Sequence, residues 1–479
     1  MPTAPARVLA PPLLALLAAF TIAAVAFGTE TWPTHTGLHQ LTIWAVVVLA
    51  VAGFLLGFRQ LHTVSDSPAA RRVLVLGAVP LWAAALAVPP FDSLDLAGYV
   101  NNGFLQVGLG LNPYVVPVTD LPHWWLYREL RAYWPGTVCA YGPMFAELAA
   151  VVVAAGGSDR VLTFLLFKLV NVAALALTAW LADRGCRRAG ANRAAALYLI
   201  AWNPLVLLHG VSNGHNDVLV GLGLAFALVA AADRLWWAVL PALAAAALVK
   251  YATIPLFPLA AVYLVRRHGW VRAGVGAALA AGLVAASCWP YLADGSALQI
   301  TRNVGNVTRF VNSLGSVVFV PLEALGKKFP AAAPVGEAVA TAMKAAGALG
   351  LLALVAVLVW RRVWAVRYAW HEFVRDAVLV QFVMIVFASS KFYAWYLLMF
   401  WPAVVWLPAD SRLRRATHAV GLAQMGSFTF LSRAHVVSPL ALIALPLGLY
   451  RWWERRRAGA AAPAILPFPA APAARRRAA

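Results

Sequence analysis

Long apolar stretches alternate with short polar segments along nearly the whole chain. Runs of this kind, without a periodic polar face, predict membrane-embedded helices and not strands or amphipathic surface helices. Several runs are shorter than the ~20 residues that cross a bilayer perpendicularly, so their ends must extend into polar flanks or lie inside a helix bundle. The predicted helices, about fourteen, are 8–28, 41–58, 73–90, 161–182, 194–209, 217–232, 235–249, 251–264, 272–291, 346–360, 373–390, 395–408, 416–432 and 436–450.

Composition supports this interpretation. Of the 479 residues, 62% are hydrophobic and only 12% are charged, whereas roughly a quarter of a soluble domain is charged. The fold class is therefore predicted to be an all-α integral membrane protein. The net charge of +20 could suggest a nucleic-acid partner in a soluble protein. Here the cations form short clusters between apolar runs, a pattern that reports membrane topology, so we expect no nucleic-acid partner.

The distribution of Lys and Arg predicts the topology. With a cytoplasmic N-terminus, most of these cations fall on the inner side, as expected for a multi-pass plasma-membrane protein. The run 141–157 is short, contains Glu147 and follows Gly142-Pro143, so we predict an interfacial helix on the outer surface. The large outer loops are then 91–160 and 292–345. We expect one polytopic domain over 1–457 and a disordered cytoplasmic tail, rich in Ala and Pro, over 458–479.

In this topology the unusual polar residues collect at the outer ends of the helices. The chain has only 18 acidic residues, yet two of them stand three positions apart directly after an apolar run. A carboxylate and several cations on one face of a membrane suit a reaction that abstracts a proton and expels an anion. The candidate residues are Asp92 and Asp95 in the first outer loop, His215, Asn216 and Asp217 at an outer turn, and Lys250 and Lys391 at two further turns.

Each candidate also has a structural explanation. The Asp residues and the segment 215–217 could cap the helices that follow them, and Lys250 and Lys391 could extend toward the membrane interface. Lys168 lies within a predicted span, where a cation is by default a functional candidate. The sequence contains no phosphate-binding glycine loop, no zinc-protease motif and no His and carboxylate pairs at ligand spacing, so we expect neither a cofactor nor a metal site.

Three blocks of the sequence resemble a known family. The first contains Phe91, Asp95, Tyr99 and Gly103, then Gly110 to Tyr114 and Tyr141-Gly142-Pro143. The second is Asn203 to His209 with Gly214 to Asp217, and the third, weaker one is Lys391 to Pro402. In this order the blocks resemble the actinobacterial polyprenol-phosphomannose-dependent α-1,6-mannosyltransferases, which belong to the GT-C class of polytopic glycosyltransferases.

The resemblance implies a GT-C-type bundle with an extracytoplasmic first catalytic loop and interfacial helices. It implies a glycosyltransferase that moves a sugar, with mannose as the first choice, from a polyprenyl-phosphate donor to a glycan or glycolipid acceptor on the outer face, with inversion. Asp95 would be the general base and Asp92 its support. Substrate-binding residues would be Tyr99, Asn112, Tyr114, Tyr141, Lys168, His215, Asn216, Asp217, Lys250, Lys391 and Tyr396.

Two alternatives remain open at this point. One is the same reaction with another hexose or a pentose, because Ala97 and Ser212-Asn213 depart from the family's pattern. The other belongs to a different class: a lipid or sugar transporter or flippase would also be polytopic. That class predicts ionisable residues at mid-membrane on several helices and two related halves. The sequence shows Lys168 within a predicted span and no internal symmetry.

Overall fold

We describe a computed structural model of the chain, which covers residues 5–27, 37–61, 66–91, 95–117, 138–292, 310–425 and 437–459, together with 64 and 93. These residues are mostly helical. The helices are α1 (Pro5–Phe27), α2 (Gly37–Gln60), α3 (Pro68–Ala87), α4 (Asp95–Val107), α5 (Pro143–Gly156), α6 (Arg160–Ala189), α7 (Arg193–Ala201), α8 (Asp217–Ala232), α9 (Trp236–Val249), α10 (Phe257–His268), α11 (Trp270–Cys288), α12 (Ser316–Lys328), α13 (Ala333–Val363), α14 (Trp370–Val383), α15 (Arg412–Gln424) and α16 (Leu445–Gly459).

Six helices within the described ranges are long and apolar enough to cross a membrane, or seven if one bent pair counts as a single span. This arrangement indicates a helical membrane protein, as the sequence predicts. The predicted count of about fourteen spans is not confirmed, because several runs form shorter apolar helices such as α5, α8 and α9. The predicted tail, 458–479, lies almost entirely outside the described residues.

Several predicted helices have different bounds in the structure. The run 194–209 is broken: α7 ends at Ala201, a π-helical segment spans Val206–Ser212, and the two are bent by 51°. The run 395–408 is a 3-10 segment, Ala394–Met399, followed by a single α-turn. In the predicted outer loop 292–345, α13 already begins at Ala333. Its 31 residues give a length of ~46 Å, which exceeds the ~30 Å hydrocarbon core of a bilayer.

The basic clusters between helices meet at one end of the bundle, where they pair with acidic residues. Arg193, at the start of α7, binds Asp183 of α6 through two hydrogen bonds of 2.6 and 2.8 Å. Arg184 and Arg188 of α6 both contact Asp233, the residue that follows α8. These pairs connect neighbouring helices at the end that the arginine distribution predicts to be cytoplasmic.

At the opposite end, two glycines allow α4, α5 and α9 to approach one another closely. A Cβ on Gly103 of α4 would lie 2.3 Å from the carbonyl oxygen of Ala149 in α5, and a Cβ on Gly142 would lie 2.1 Å from that of Leu248 in α9. The Gly142 amide donates to the carbonyl oxygen of Val249 at 3.0 Å. The predicted helix over 141–157 therefore exists as α5, and it packs against the helix that leads to Lys250.

Lys168 of α6 is buried at this same end and binds the C-terminal backbone of α3. Its ammonium group donates to the carbonyl oxygens of Leu86 at 3.3 Å and Val88 at 2.5 Å. The last carbonyls of a helix have no partner within the helix, and a cation near them is also favoured by the helix dipole. Lys168 therefore completes the end of α3, directly before the segment that leads to Asp95.

Replacing Lys168 by Met should destabilise the fold, because the Leu86 and Val88 carbonyl oxygens would lose their buried donor. We expect a loss of about 1–3 kcal/mol, measured as a lower unfolding temperature in detergent. The matched control is Lys327→Met, whose side chain is 71% exposed and which should stay within ~0.5 kcal/mol of the parent. Equal unfolding temperatures for both variants would contradict the capping role of Lys168.

Candidate active site

The site begins at the break that follows α7. Pro204 has no backbone N–H and disfavours a continuous helix, and Asn203 compensates, because its Oδ1 accepts from the Leu205 amide at 2.9 Å. The chain then turns at Gly214, which adopts a left-handed φ of +71°, a conformation that favours glycine. This turn delivers His215, Asn216 and Asp217, all fully buried, to the start of α8.

Asp95, the first residue of α4, faces His215. Its Oδ2 lies 3.3 Å from Nδ1 of His215, and the Asp95 side chain is 20% exposed whereas that of His215 is completely buried. Burial opposes ionisation of Asp95, but contact with His215 and the charge of Lys250 more than offset it and lower the pKa of this carboxyl. Asp95 is therefore an ionised carboxylate with an accessible face.

Asp217 has a different environment. Its side chain is completely buried, and its two carboxylate oxygens accept hydrogen bonds from the Lys250 ammonium group at 2.8 and 3.0 Å. The same ammonium group lies 4.4 Å from the centre of the Tyr396 ring, in a cation–π contact. Lys250 thus pairs with a carboxylate and does not simply extend toward the membrane interface.

Asn216 does not cap α8, since its side chain makes no cap hydrogen bond. Its Oδ1 lies 3.2 Å from the Tyr99 hydroxyl, which donates to it. The Tyr99 ring packs edge-on against Tyr141, with ring centres 5.0 Å apart. The buried Nδ2 of Asn216 and Nε2 of His215 have no hydrogen-bond partner within the described part of the chain, so both can serve a polar ligand.

The backbone directly before α5 is held by tyrosine hydroxyls. The carbonyl oxygen of Tyr141 accepts from Tyr114 at 2.9 Å and from Tyr251 at 3.2 Å. Asn112 shapes the turn before Tyr114, because its Oδ1 accepts from the Tyr114 amide at 3.0 Å. Tyr114 is fully buried and acts here as a support for Tyr141, whose ring lies beside Tyr99.

Lys391 lies on a turn that a distant segment holds in place. The Val311 amide donates to the carbonyl oxygen of Ser390, and the Phe392 amide donates to that of Val311, both at 2.9 Å. Burial lowers the pKa of Lys391; the Asp95 carboxylate opposes this shift, and the charges of Lys344 and Lys250 add to it. The Lys391 ammonium group is therefore within electrostatic reach of the Asp95 carboxylate.

Three further residues contribute to the site although the sequence assigned them no role in it. Trp395 stacks on His215, with ring centres 3.9 Å apart and an angle of 12° between the planes. Asn171 donates from Nδ2 to the carbonyl oxygen of His215 at 3.0 Å. Lys344 of α13 adds a positive charge near Lys391. Asn171 could have been found, because it follows Lys168 by three residues on the same face of an apolar helix.

The structure thus brings most predicted site residues together at one end of the bundle. Asp95, Tyr99, Tyr141, His215, Asn216, Asp217, Lys250, Lys391 and Tyr396 form one connected group, with Asn112 and Tyr114 supporting it. Lys168 binds the end of α3, a placement that favours a structural role. Asp92 lies outside the described residues, so its predicted supporting role stays a prediction.

The sequence of the chain is similar to those of several known proteins. The M. tuberculosis α-(1→6)-mannopyranosyltransferase A is 33% identical over 187 residues, which are 39% of this chain and 35% of that protein. A probable α-(1→6)-mannopyranosyltransferase of Mycolicibacterium smegmatis is 32% identical over 193 residues, 39% of this chain and 33% of the relative. The α-(1→6)-mannopyranosyltransferase A of Corynebacterium glutamicum is 27% identical over 205 residues, 40% and 41% of the two chains.

These matches span only about a third to two fifths of the length of the relatives. No solved structure matches the chain. The family described as α-(1→6)-mannopyranosyltransferase, N-terminal domain, matches residues 12–266, which is more than half of the 479 residues and includes α4, the break after α7 and Lys250. The resemblance that the sequence blocks indicate is confirmed, and the chain belongs to this α-(1→6)-mannopyranosyltransferase family.

Proposed function

We propose that the chain is a membrane mannosyltransferase that moves mannose from a polyprenyl-phosphate donor to a glycan or glycolipid acceptor, forming an α-(1→6) linkage. The family and the names of the relatives support mannosyl transfer. The observation that carries the proposal is the difference between the two site carboxylates. Asp217 is buried and held by Lys250, whereas Asp95 keeps a partly exposed face beside His215.

In this mechanism Asp95 is the general base. The acceptor hydroxyl oxygen attacks the anomeric carbon, the bond from that carbon to the phosphate oxygen breaks, and the hydroxyl proton passes to Asp95. A single displacement of this kind inverts the anomeric configuration. The His215 side chain contacts Asp95 and is completely buried. We therefore assign it the role of orienting the carboxylate, and Asp95, not His215, takes the proton of the acceptor hydroxyl.

The leaving group is a polyprenyl monophosphate, whose negative charge grows as the bond to the sugar breaks. Cations placed where charge develops lower the barrier to such a step. Lys391 is suited to this role because it lies near Asp95, and Lys344 and Lys250 add positive charge beside it. We assign the direct phosphate contact to Lys391, which is within electrostatic reach of Asp95, and to Lys344, whose charge acts on Lys391.

Sugar hydroxyls need hydrogen-bond partners inside a buried site. Asn216 and His215 each present a buried nitrogen that has no partner among the described residues, and we assign these nitrogens to donor or acceptor hydroxyls. Three tyrosines lie beside these groups: Tyr99 contacts both Asn216 and Tyr141, and Tyr396 contacts Lys250. Aromatic rings of this kind provide apolar faces for the C–H groups of a sugar.

We further propose that the reaction occurs on the extracytoplasmic side of the plasma membrane. The paired arginines of α6 and α7 lie at the bundle end opposite to Asp95, and positively charged segments remain in the cytoplasm. The segment carrying α4 and α5 and the segment carrying α12 would then both be external.

The reaction itself is tested with the full chain in lipid vesicles, a polyprenyl-phosphate mannose donor and a mannoside acceptor. We expect a new glycosidic bond by mass spectrometry, and Asp95→Asn should slow transfer by about 10²–10⁴-fold because a general base is lost. The control is Asp159→Asn, which retains an N-cap for α6 and should leave transfer unchanged, while Asp92→Asn should keep measurable activity.

Three results would contradict the proposal. A donor with another hexose or a pentose that outperforms the mannose donor would change the substrate, and lipid movement across the bilayer without bond formation would indicate a flippase. Equal activity in Asp95→Asn and the parent, with both proteins folded, would remove Asp95 from the role of base.

The pH dependence of kcat/KM should report Asp95. Because the pKa of Asp95 is lowered from its ordinary value of 3.8, the carboxylate is ionised at neutral pH and activity is lost only as pH falls through that lowered pKa. In His215→Gln the contact that favours ionisation is gone, so the acidic limb should move to higher pH. An acidic limb at the same pH in both proteins would show that His215 does not set the protonation of Asp95.

The side of the membrane is tested by single-cysteine labelling in intact cells. Val115→Cys and Phe329→Cys, at positions 49% and 52% exposed, should react with an impermeant thiol reagent, whereas Val366→Cys, 95% exposed, should react only after permeabilisation. Cys139 and Cys186 are buried, and partly buried Cys288 is replaced by Ser to remove background. Labelling of Val366→Cys in intact cells would reverse the proposed orientation.

A further inference from the structure

The short segment Ala394–Met399 lies outside the family match. It contacts the two residues that pair with the site carboxylates. Trp395 stacks on His215, the partner of Asp95. The next residue, Tyr396, lies under the ammonium group of Lys250, the partner of Asp217. The family match ends at residue 266, so this segment approaches the site from the other half of the chain.

Trp395 belongs to a stack of three flat rings. Its ring centre is 3.9 Å from that of His215 and 4.5 Å from that of Tyr393, and the planes of Trp395 and Tyr393 differ by only 4°. The backbone of His215 is fixed as well, because its carbonyl oxygen accepts from Asn171 and its amide donates to the carbonyl oxygen of His209. The imidazole plane is therefore set by the indole face.

The indole of Trp395 differs from those of five other tryptophans in the bundle. Its Nε1 is buried and has no hydrogen-bond partner within the described ranges, an arrangement that is unfavourable for a polar group. A tryptophan that only fills a core normally finds an acceptor. Five other indoles donate to a backbone carbonyl oxygen: Trp82, Trp202, Trp370, Trp401 and Trp406.

We propose that Trp395 is a positioning residue, which holds the His215 imidazole in the plane that brings its Nδ1 against the carboxylate of Asp95. The role of Asp95 as base rests on the proposed function; the effect of Trp395 on Asp95 does not. Trp395 acts through His215, so loss of its flat face lets the imidazole rotate and weakens the contact with Asp95.

Several other groups face Asp95 and have to be considered with His215. Lys250 and Ser93 also favour its ionised form, and the Lys391 ammonium group attracts it. Asp217, Tyr99, Tyr141 and Tyr396 interact with its charge as well. Trp395 also packs edge-on against Tyr396, with ring centres 6.3 Å apart, and Tyr396 lies under Lys250. A double variant with His215 therefore has to separate this second route from the one through the imidazole.

The test measures protonation of Asp95 without turnover. Carbodiimides react with the protonated carboxylic acid, so the pH at which half of Asp95 is modified, read by peptide mass spectrometry on the full chain in detergent, reports its protonation. Trp395→Leu should move this midpoint to higher pH, because weaker contact with His215 disfavours the carboxylate. Trp395→Phe keeps a flat ring and should stay close to the parent.

Two controls separate positioning from general disturbance. Trp406→Leu removes an equally buried indole that binds Ala182, and should leave the midpoint unchanged. His215→Gln should raise the midpoint by itself, and adding Trp395→Leu to it should cause no further shift, since a residue that acts through another gives a non-additive cycle. If Trp395→Leu does not fold, Trp395→Met takes its place in the same cycle.

The outcomes decide the proposal independently of the transfer reaction. An unchanged midpoint in folded Trp395→Leu or Trp395→Met, or an additive shift in the double variant, would overturn it. If the midpoints shift as expected but no mannose is transferred by the parent, the positioning role stands and the proposed function fails. If both hold, kcat of Trp395→Leu should fall by about 10- to 100-fold, as expected for a misplaced catalytic group.

Discussion

The neutralisation of Asp217 is the interaction on which the rest of the site depends. An ionised carboxylate without solvent contact is very costly unless it is paired and hydrogen-bonded, and Lys250 supplies two short hydrogen bonds to it. Asp217 is the first residue of α8 and Lys250 is the residue that follows α9. The pair therefore joins the start of one helix to the end of the next, and neither end can move without leaving a charge unpaired.

Two carboxylates in one site then acquire different properties. The Asp217 side chain is completely buried and Lys250 binds both of its oxygens, whereas the Asp95 side chain contacts His215 and is 20% exposed. Groups of the same type that have contrasting environments are a common basis for dividing chemical roles within one site. In the proposed mechanism this division gives Asp217 a structural role and Asp95 the role of proton acceptor. The hydroxyls of Tyr114 and Tyr251 fix the nearby backbone at Tyr141.

Much of this arrangement could be predicted from the sequence, and the failures have physical reasons. Asp95, the segment 215–217 and Lys250 stood out because polar residues are scarce in an apolar chain, and their positions after apolar runs placed them at one membrane face. Hydropathy could not predict the break at Asn203-Pro204, because the run remains apolar through it and the hydrogen bonds of Asn203 compensate locally.

Other features depend on contacts between distant parts of the chain. Two such features leave no local signal in the sequence. They are the hydrogen bonds of Lys168 to the end of α3 and the stacking of Trp395 on His215. The sequence around a lysine or a tryptophan in an apolar run does not show which distant residue it contacts. The segment around Val311 that holds the Lys391 turn follows residues with no recognisable pattern.

The contribution of Ala394–Met399 has an evolutionary consequence. Asp95, His215 and Lys250 lie within residues 12–266, which match the N-terminal domain of the family, whereas the rings that cover His215 and Lys250 come from the second half of the chain. Substitutions in the two halves are therefore not independent. In a hybrid that joins the matched half of this chain to the remainder of a distant relative, the rings that pack on His215 and Lys250 would come from a different protein. Recombination within this family should be tolerated only where both halves are exchanged together.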